Sequence, residues 1–232
     1  MKPHVVTVIA FDRISAFHLS VPCVVFGDTH PGVPRFEFRV CAIEDGPLTT
    51  TAGFTVMVQH GLEAIDDADT IIVPSWHDPA ARPPQRLLDA LAAAHRRGAR
   101  VVGLCLGAFV LAEAGLLDGR KATTHWAYAQ EFFRRHPGVQ VDADVLYIDD
   151  GKVLTSAGTA AGIDCCLHLL RQEYGSEVAN IVARRLVTPP HRQGGQAQFI
   201  DQPLPTTGRD SRLSDLLAWV RANLDHPHTL DS

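Results

Sequence analysis

The motif Gly-x-Cys-x-Gly at residues 103–107 constrains the fold of this chain more than any other feature. It ends a short β-branched run that begins at Arg100, and after it apolar residues continue at helical spacing to Leu117. This pattern predicts a nucleophile elbow, in which a buried parallel strand turns sharply into a helix and the glycines allow close packing. Cys105 would then lie at the positive end of the helix, where the thiolate is favoured and the N–H of Leu106 faces an anion or oxyanion. Alternatively, Cys105 is a small buried hydrophobic residue, as free cysteines usually are.

Strand patterns and helix patterns alternate along the chain. The near-continuous apolar run from His4 to Phe11 is expected of a parallel strand that is covered on both faces. Further strands are predicted at 36–43, 70–74, 100–104, 139–145 and 147–154, with a small hairpin at 48–59. Helices are predicted at 15–26, 84–97, 107–117, 130–135, 163–174 and 177–186. This alternation predicts a doubly wound, mostly parallel sheet with helices on both faces, which is a three-layer α/β/α architecture.

The carboxyl ends of three predicted strands mark the expected site, because sheets of this kind bind ligands at that edge. These ends carry Asp12, the pair Ser75 and Trp76, and Cys105. Asp12 has the alternative role of capping the first helix, and Trp76 that of a surface or interface residue.

Composition and charge exclude several classes of protein. The net charge of −5 provides no electrostatic footprint for a phosphate backbone, so this chain should not bind DNA strongly by itself. We find no apolar run long enough to span a bilayer and no cleavable signal at the N-terminus, which predicts a cytoplasmic protein without a membrane partner. The five cysteines are irregularly spaced, and the twelve histidines form no ligand pattern, so neither a disulfide framework nor a metal site is predicted, and no cofactor.

Four segments together resemble the ThiJ/PfpI family, a branch of the class I glutamine amidotransferase-like superfamily with a flavodoxin-like sheet. They are the elbow at 103–108, the segment 114–120, Thr123-Thr124-His125-Trp126, and Ser156-Ala157-Gly158. The resemblance covers roughly residues 5–186. It implies that Cys105 takes the nucleophile position and that His125 lies near it, with Trp126 and Gly158 at the same cleft. Without the resemblance, His125 is equally an ordinary core histidine.

The chain departs from that family in two places. The family's usual acidic residue on the first helix falls at His18, which could stabilise the ionised sulfur of Cys105 only as a hydrogen-bond donor and, if protonated, would also lower the thiol pKa through its charge. His18 also has the alternative role of packing on the apolar face of its helix. The family's glycines after the third main strand are replaced by Ser75 and Trp76, which would narrow the oxyanion pocket and give it an aromatic wall. Both changes weaken the case for catalytic turnover and preserve a cleft of ligand size.

The last part of the sequence predicts a change of domain. Residues 1–195 are assigned to the ThiJ/PfpI-like domain, 196–210 to a Pro/Thr/Gly-rich linker and 211–232 to an amphipathic helix followed by the capped start of another. The apolar stripe of this helix consists of Leu213, Leu216, Leu217, Val220 and Leu224. The alternative is a terminal helix that packs back on the core.

This junction resembles that of AraC/XylS-type transcriptional regulators with a ThiJ/PfpI-like N-terminal domain. The resemblance implies that a module with two helix-turn-helix motifs follows, that DNA is bound only through that missing module, and that the protein is a homodimer.

Two hypotheses from different classes follow. In the first, the cleft around Cys105 binds a small-molecule effector, or registers oxidation, and shifts the linked DNA-binding module between states. In the second, the chain is a cysteine enzyme of the isonitrile hydratase, amidase or glyoxalase kind, in which Cys105 attacks an electrophilic carbon and His125 moves the proton. An inert interaction domain is the remaining possibility.

Overall fold

The computed structural model describes residues 3–29, 31–198 and 219. The chain divides into two compact units, Met1–Gln198 and Phe199–Ser232. The architecture described below is that of the first unit.

Six strands of the first unit form one sheet in the order β2-β1-β5-β6-β10-β9. All neighbouring strands are parallel except β9, which runs antiparallel to β10 at the edge. The remaining strands pair two by two, as the predicted hairpin β3-β4 and as the parallel pair β7-β8. Within the described residues the strands are β1 (Val5–Ala10), β2 (Glu37–Ala42), β3 (Leu48–Thr49), β4 (Thr55–Val56), β5 (Thr70–Val73), β6 (Arg100–Leu104), β7 (Lys121–Ala122), β8 (Gln140–Val141), β9 (Tyr147–Asp150) and β10 (Val153–Ser156).

Helices cover both faces of this sheet. The helices are α1 (Ala16–Pro22), α2 (Gln85–Arg97), α3 (Gly107–Glu113), α4 (Ala129–Arg135) and α5 (Ala160–Arg185). Successive strand residues point to opposite faces, so that Val5 and Ile9 pack in the same cluster as α2, α3 and α4, whereas Val6 and Val8 pack with α1 and α5. Burial on both faces explains the unbroken apolar runs of the strands, and the predicted three-layer α/β/α fold is confirmed.

The first helix and the strand predicted at 139–145 differ from the sequence-based prediction. The first helix ends at Pro22 and continues as a π-helical turn, Cys23–Gly27, because a proline inside a helix removes one backbone hydrogen bond. The strand predicted at 139–145 shrinks to the two residues of β8. The two C-terminal helices predicted at 163–174 and 177–186 are confirmed, because α5 is interrupted between them at Gly175 by a non-helical backbone with φ 86° and ψ 170°.

The strand order places a topological switch point at the carboxyl edge of the sheet. The connection that follows β1 leads to β2 on one side of β1, whereas the connection that follows β5 leads to β6 on the other side. Cys105 follows β6, the neighbour of β5, and therefore lies close to this switch point.

The linker and helix predicted at 199–232 lie outside the described residues, with the exception of Trp219, which is helical and half exposed. No helix in the described part of the chain is long and apolar enough to cross a membrane.

Candidate functional site

The elbow has the strained geometry that the sequence predicts. Cys105 adopts φ 53°, in the left-handed region that side chains other than glycine rarely occupy. A Cβ on Gly107 would lie 2.2 Å from the carbonyl oxygen of Val73, and one on Gly103 would lie 2.9 Å from the backbone nitrogen of Ala108. The two glycines therefore permit the close approach of β6, α3 and β5 that holds Cys105 at the turn.

The Cys105 thiol is protonated near neutral pH, contrary to the sequence-based expectation of a thiolate. Its residue is only 6% exposed, and burial raises the pKa of the thiol to about 11. Hydrogen bonds to the sulfur from the N–H of Leu106 and the hydroxyl of Ser75 lower this pKa, but they do not offset the loss of hydration. The chemistry available to Cys105 at neutral pH is therefore that of a neutral thiol.

Two neighbouring segments, 123–126 and 156–158, fix the backbone of Cys105. Its N–H donates to the carbonyl of Ser156 at 2.8 Å, and its carbonyl accepts from the Thr124 hydroxyl at 2.9 Å. Gly158 packs directly against it, because a Cβ there would lie 2.1 Å from the Cys105 Cβ. Gly158 and the segment 123–126 thus meet at Cys105, as the resemblance implied.

His18 reaches this cluster from α1. Its Nε2 accepts the N–H of Thr159 at 3.3 Å, so in the neutral ring Nδ1 carries the proton. That Nδ1 is buried without a hydrogen-bond partner in the described part of the chain. Burial, and then the nearby charge of His125, lower the pKa of His18. His18 is therefore neutral near pH 7 and does not supply the positive charge that the sequence analysis considered.

His125 begins the 3-10 turn Trp126–Tyr128 rather than lying on a strand. Its Nδ1 accepts the N–H of Ala127 at 3.3 Å, its ring stacks on that of Trp126 at 5.6 Å, and burial lowers its pKa. Among the described residues, neither His125 nor His18 hydrogen-bonds to the sulfur of Cys105. The catalytic roles assigned to these three residues therefore stay predictions.

Ser75 and Trp76 occupy different positions relative to the sulfur. The Ser75 hydroxyl contacts it, whereas Trp76 is only 4% exposed, packs on Phe11 at 4.8 Å and donates its indole N–H to the carbonyl of Ala81. Trp76 is therefore a core residue and not a surface one, and its contact with a ligand stays a prediction.

Asp12 does not cap the first helix. It is exposed and accepts the N–H of Thr49 at 2.9 Å, which ties the β3-β4 hairpin to the loop after β1, while Ser15 is the N-cap residue. Its predicted contact with a ligand likewise remains a prediction.

Two aromatic rings beside the histidines are open to solvent. Trp126 is 44% exposed next to His125, and Phe17 is 49% exposed and meets the His18 ring edge to face at 6.0 Å. Imidazole and aromatic surfaces are therefore available to a molecule from solution.

Sequence reasoning missed two residues of this region. Thr159, the N-cap of α5, has φ 46° and ψ −126° and donates to His18. Gln198, which the sequence assigns to the linker, is 5% exposed and its amide contacts the segment that carries His125. The strain at Thr159 has no sequence signal, and Gln198 lies in a polar stretch that is typical of a loop.

A separate cavity of about 650 Å³ lies at the opposite, amino edge of the sheet. In its lining Arg100 pairs with Glu173 and His4 with Thr70, whereas the Nε of Arg100 is buried without a hydrogen-bond partner in the described part of the chain. The functional site predicted from the sequence lies instead at the carboxyl edge, where the strand ends and the strained elbow meet, and its position stays a prediction.

Comparison with known proteins finds relatives that include transcriptional regulators and an enzyme. The HTH-type transcriptional regulator CdhR of Pseudomonas aeruginosa is 34% identical to this chain over 152 residues, which are 66% of this chain and 45% of that protein. The chain thus spans about half the length of the regulator. The isonitrile hydratase of Pseudomonas putida is 30% identical over 145 residues, which are 62% of each chain.

The fold is shared with solved structures. The crystal structure of an AraC family transcriptional regulator from Pseudomonas putida superposes with a TM-score of 0.69 at 20% identity, covering 79% of this chain and all of that one. The family model described as the DJ-1/PfpI family matches residues 4–172, which include the sheet, the elbow and the segment 123–126. This chain belongs to the DJ-1/PfpI family.

Proposed function

We propose that this chain is the ligand-sensing and dimerising part of a transcriptional regulator, in which a small molecule binds beside Cys105. DNA is bound by a helix-turn-helix segment of the longer protein. The similarity to an HTH-type regulator supports the regulatory role, and the chain's own net charge of −5 supports a separate DNA-binding segment.

The state of Cys105 favours binding over turnover. A covalent catalyst needs an ionised nucleophile or a base in hydrogen-bond contact with it. Cys105 is a buried thiol whose pKa is raised to about 11, and its side-chain partner is the Ser75 hydroxyl, not an imidazole. This is the observation that carries the proposal.

The groups around Cys105 suit a small molecule with a hydrogen-bond acceptor and an apolar face. The protonated Nδ1 of His18 is buried and unpartnered in the described structure, so a ligand oxygen or nitrogen would satisfy it. The exposed faces of Trp126 and Phe17 supply apolar contact. We infer a neutral or weakly polar metabolite rather than a strongly charged one, because both imidazoles are neutral near pH 7.

A thermal-shift screen of small metabolites tests this proposal. A true ligand raises the melting temperature of the chain, and Trp126→Ala reduces that shift. Phe133→Ala is the matched control, because Phe133 is an equally solvent-open aromatic residue on α4. A shift that is the same in both variants would place the ligand elsewhere.

The DNA-binding and dimer assignments have separate tests. The reading frame downstream of codon 232 should encode a helix-turn-helix module. In a mobility-shift assay the longer protein should retard its operator DNA, whereas this chain alone should not. Sedimentation equilibrium of the chain should give twice its mass if the sensing part dimerises. We place the regulator in the cytoplasm, where its DNA target lies.

Similarity to an isonitrile hydratase favours a second candidate, hydration of an isonitrile to an N-substituted formamide. Under that function Cys105 would attack the terminal carbon, and Cys105→Ser would abolish turnover. If the wild-type chain hydrates an isonitrile and Cys105→Ser does not, the enzyme function replaces the sensing proposal. If neither protein hydrates an isonitrile, the result supports the sensing proposal.

A further inference from the structure

Residues 188–198 form a strap that crosses the edge of the sheet. The strap is held by an ion pair between Arg192 and Asp164, whose carboxylate is 3% exposed. It is held in the middle where the N–H of Leu146 donates to the Gly194 carbonyl at 2.7 Å. All of the strap lies beyond residues 4–172, which the family model covers.

The far end of the strap is fixed by the Gln198 side chain. Its Nε2 donates to the carbonyls of Thr124 and Val145, both at 3.0 Å, with Thr123 Oγ1 at 3.3 Å. Its Oε1 accepts the N–H of Trp126 at 3.0 Å. The amide is therefore buried and its hydrogen-bonding capacity is used, which favours a single orientation.

The same segment, 123–126, also contacts the elbow at Cys105, where we propose that the ligand binds. The Thr124 hydroxyl donates to the Cys105 carbonyl at 2.9 Å, and His125 and Trp126 present their stacked rings beside it. A molecule that moves the backbone at His125 or Trp126 therefore also disturbs the hydrogen bond from the Trp126 N–H to the Gln198 side chain.

Gln198 is the last residue of the first compact unit, and the chain continues from it directly into the second. Loss of the hydrogen bonds of the Gln198 side chain therefore acts at the residue where the chain leaves the first compact unit.

We propose that Gln198 is a positioning residue that couples the pocket segment 123–126 to the strap, so that occupancy of the pocket changes how firmly the strap is held. This inference rests on the proposed function. The coupling is reciprocal. If ligand binding weakens the attachment of the strap, then a variant with a weakly attached strap must favour the ligand-bound conformation around Cys105.

Alkylation of Cys105 by iodoacetamide tests the coupling without a known ligand. The rate at Cys105 is followed by mass spectrometry on the folded 232-residue chain at pH 9. Gln198→Leu, which keeps the volume and removes all four polar contacts, should accelerate labelling at least tenfold. Arg192→Met is the matched control, because it releases the same strap away from segment 123–126, and it should accelerate labelling much less than Gln198→Leu does even though it destabilises the fold. Equal acceleration in both variants would mean that loosening of the strap in general exposes Cys105, and would overturn the role of Gln198.

Hydrogen exchange provides the second measurement. In the wild-type chain, carboxamidomethylation of Cys105 should accelerate exchange of the backbone N–H groups of residues 126 and 198 severalfold. In Gln198→Leu these two backbone N–H groups should already exchange fast, and labelling of Cys105 should add no further change. Unchanged exchange in the labelled wild-type chain refutes the coupling even if a ligand is found. Accelerated exchange with no ligand in the thermal-shift screen refutes the sensing function and leaves the coupling standing.

Discussion

Gly158 lies against Cys105 so closely that a methyl group on its Cα would come within 2.1 Å of the Cys105 Cβ and 2.7 Å of its Cα. Gly158 itself has φ +80°. Two independent constraints, space and backbone conformation, therefore require glycine at the start of the loop that places α5 beside the elbow.

Gly158→Ala should lower the free energy of unfolding by about 3 kcal/mol or more, because it combines overpacking with a left-handed backbone. Urea unfolding of the two proteins measures this difference. Gly151→Ala is the matched control, since Gly151 has φ +75° but nothing within 4 Å of an added Cβ. The control should cost only about 1 kcal/mol, which is the backbone strain alone. Equal costs in the two variants would show that the contact with Cys105 yields without penalty.

Alkylation of Cys105 should be slow near neutral pH and should still be rising at pH 10. Its pKa is raised to about 11 from an ordinary value of 9.0, so its thiolate fraction at pH 8 is lower by about 100-fold than that of an exposed cysteine. The rate profile of Cys105 in the folded chain, compared with the urea-unfolded chain, measures this shift. A plateau of the folded rate below pH 8 would show that the thiolate is the stable form after all.

Ser75→Ala should slow this alkylation further, by about threefold to tenfold, because the Ser75 hydroxyl bonds to the sulfur and lowers its pKa. Ser20→Ala is the matched control, since the Ser20 hydroxyl donates to the carbonyl of Phe17 on the exposed side of α1. An effect of the same size in the control would assign the change to general loosening of the fold.

The elbow was predictable from the sequence because its causes are local. Glycines at 103 and 107 flank the cysteine, and the strand before them is apolar on both faces, so the turn and the buried sheet follow from residues that are neighbours in the chain. The ionisation of Cys105 was not predictable in the same way. The helix terminus favours the thiolate locally, but the burial that overrides it comes from other elements of the fold.

The contacts of Gln198 lay beyond sequence reasoning for a related reason. Gln198 and Thr124 are 74 positions apart, and neither belongs to a periodic pattern. Only the folded arrangement, in which the strap runs beside β9, brings them together. Polar residues in an irregular stretch predict a solvated loop by default, and here one of them is a buried amide with a full set of partners.

The free energy of unfolding should fall as the pH decreases from about 7 to 5. Burial lowers the pKa values of His18 and His125 below their ordinary value of 6.5, so the unfolded chain binds more protons than the folded one in this range. Their contribution to stability is therefore complete above pH 6.5 and is lost as the pH falls toward the lowered values. His18→Gln should make this dependence shallower in urea unfolding at several pH values, whereas an unchanged or steeper slope would contradict a neutral buried His18.

The buried ion pair of the strap supports a last prediction. Arg192 donates from Nε to the Asp164 carboxylate at 2.9 Å, and Asp164 is 3% exposed, so removing the cation leaves a buried, uncompensated charge. Arg192→Met should lower the free energy of unfolding by about 3 kcal/mol, because Arg192 itself is one third exposed and water enters in part. Arg120→Met, at the exposed pair between Arg120 and Asp150, is the control and should cost at most about 1 kcal/mol.

The double variant Asp164→Asn with Arg192→Met distinguishes loss of charge balance from loss of packing. If the unpaired carboxylate is the cause, removing its charge as well should restore most of the stability that Arg192→Met loses, and the double-mutant cycle should give a coupling energy of about 1 to 3 kcal/mol. Additive effects in urea unfolding would instead show that Arg192 stabilises the strap through its aliphatic stem, independently of Asp164.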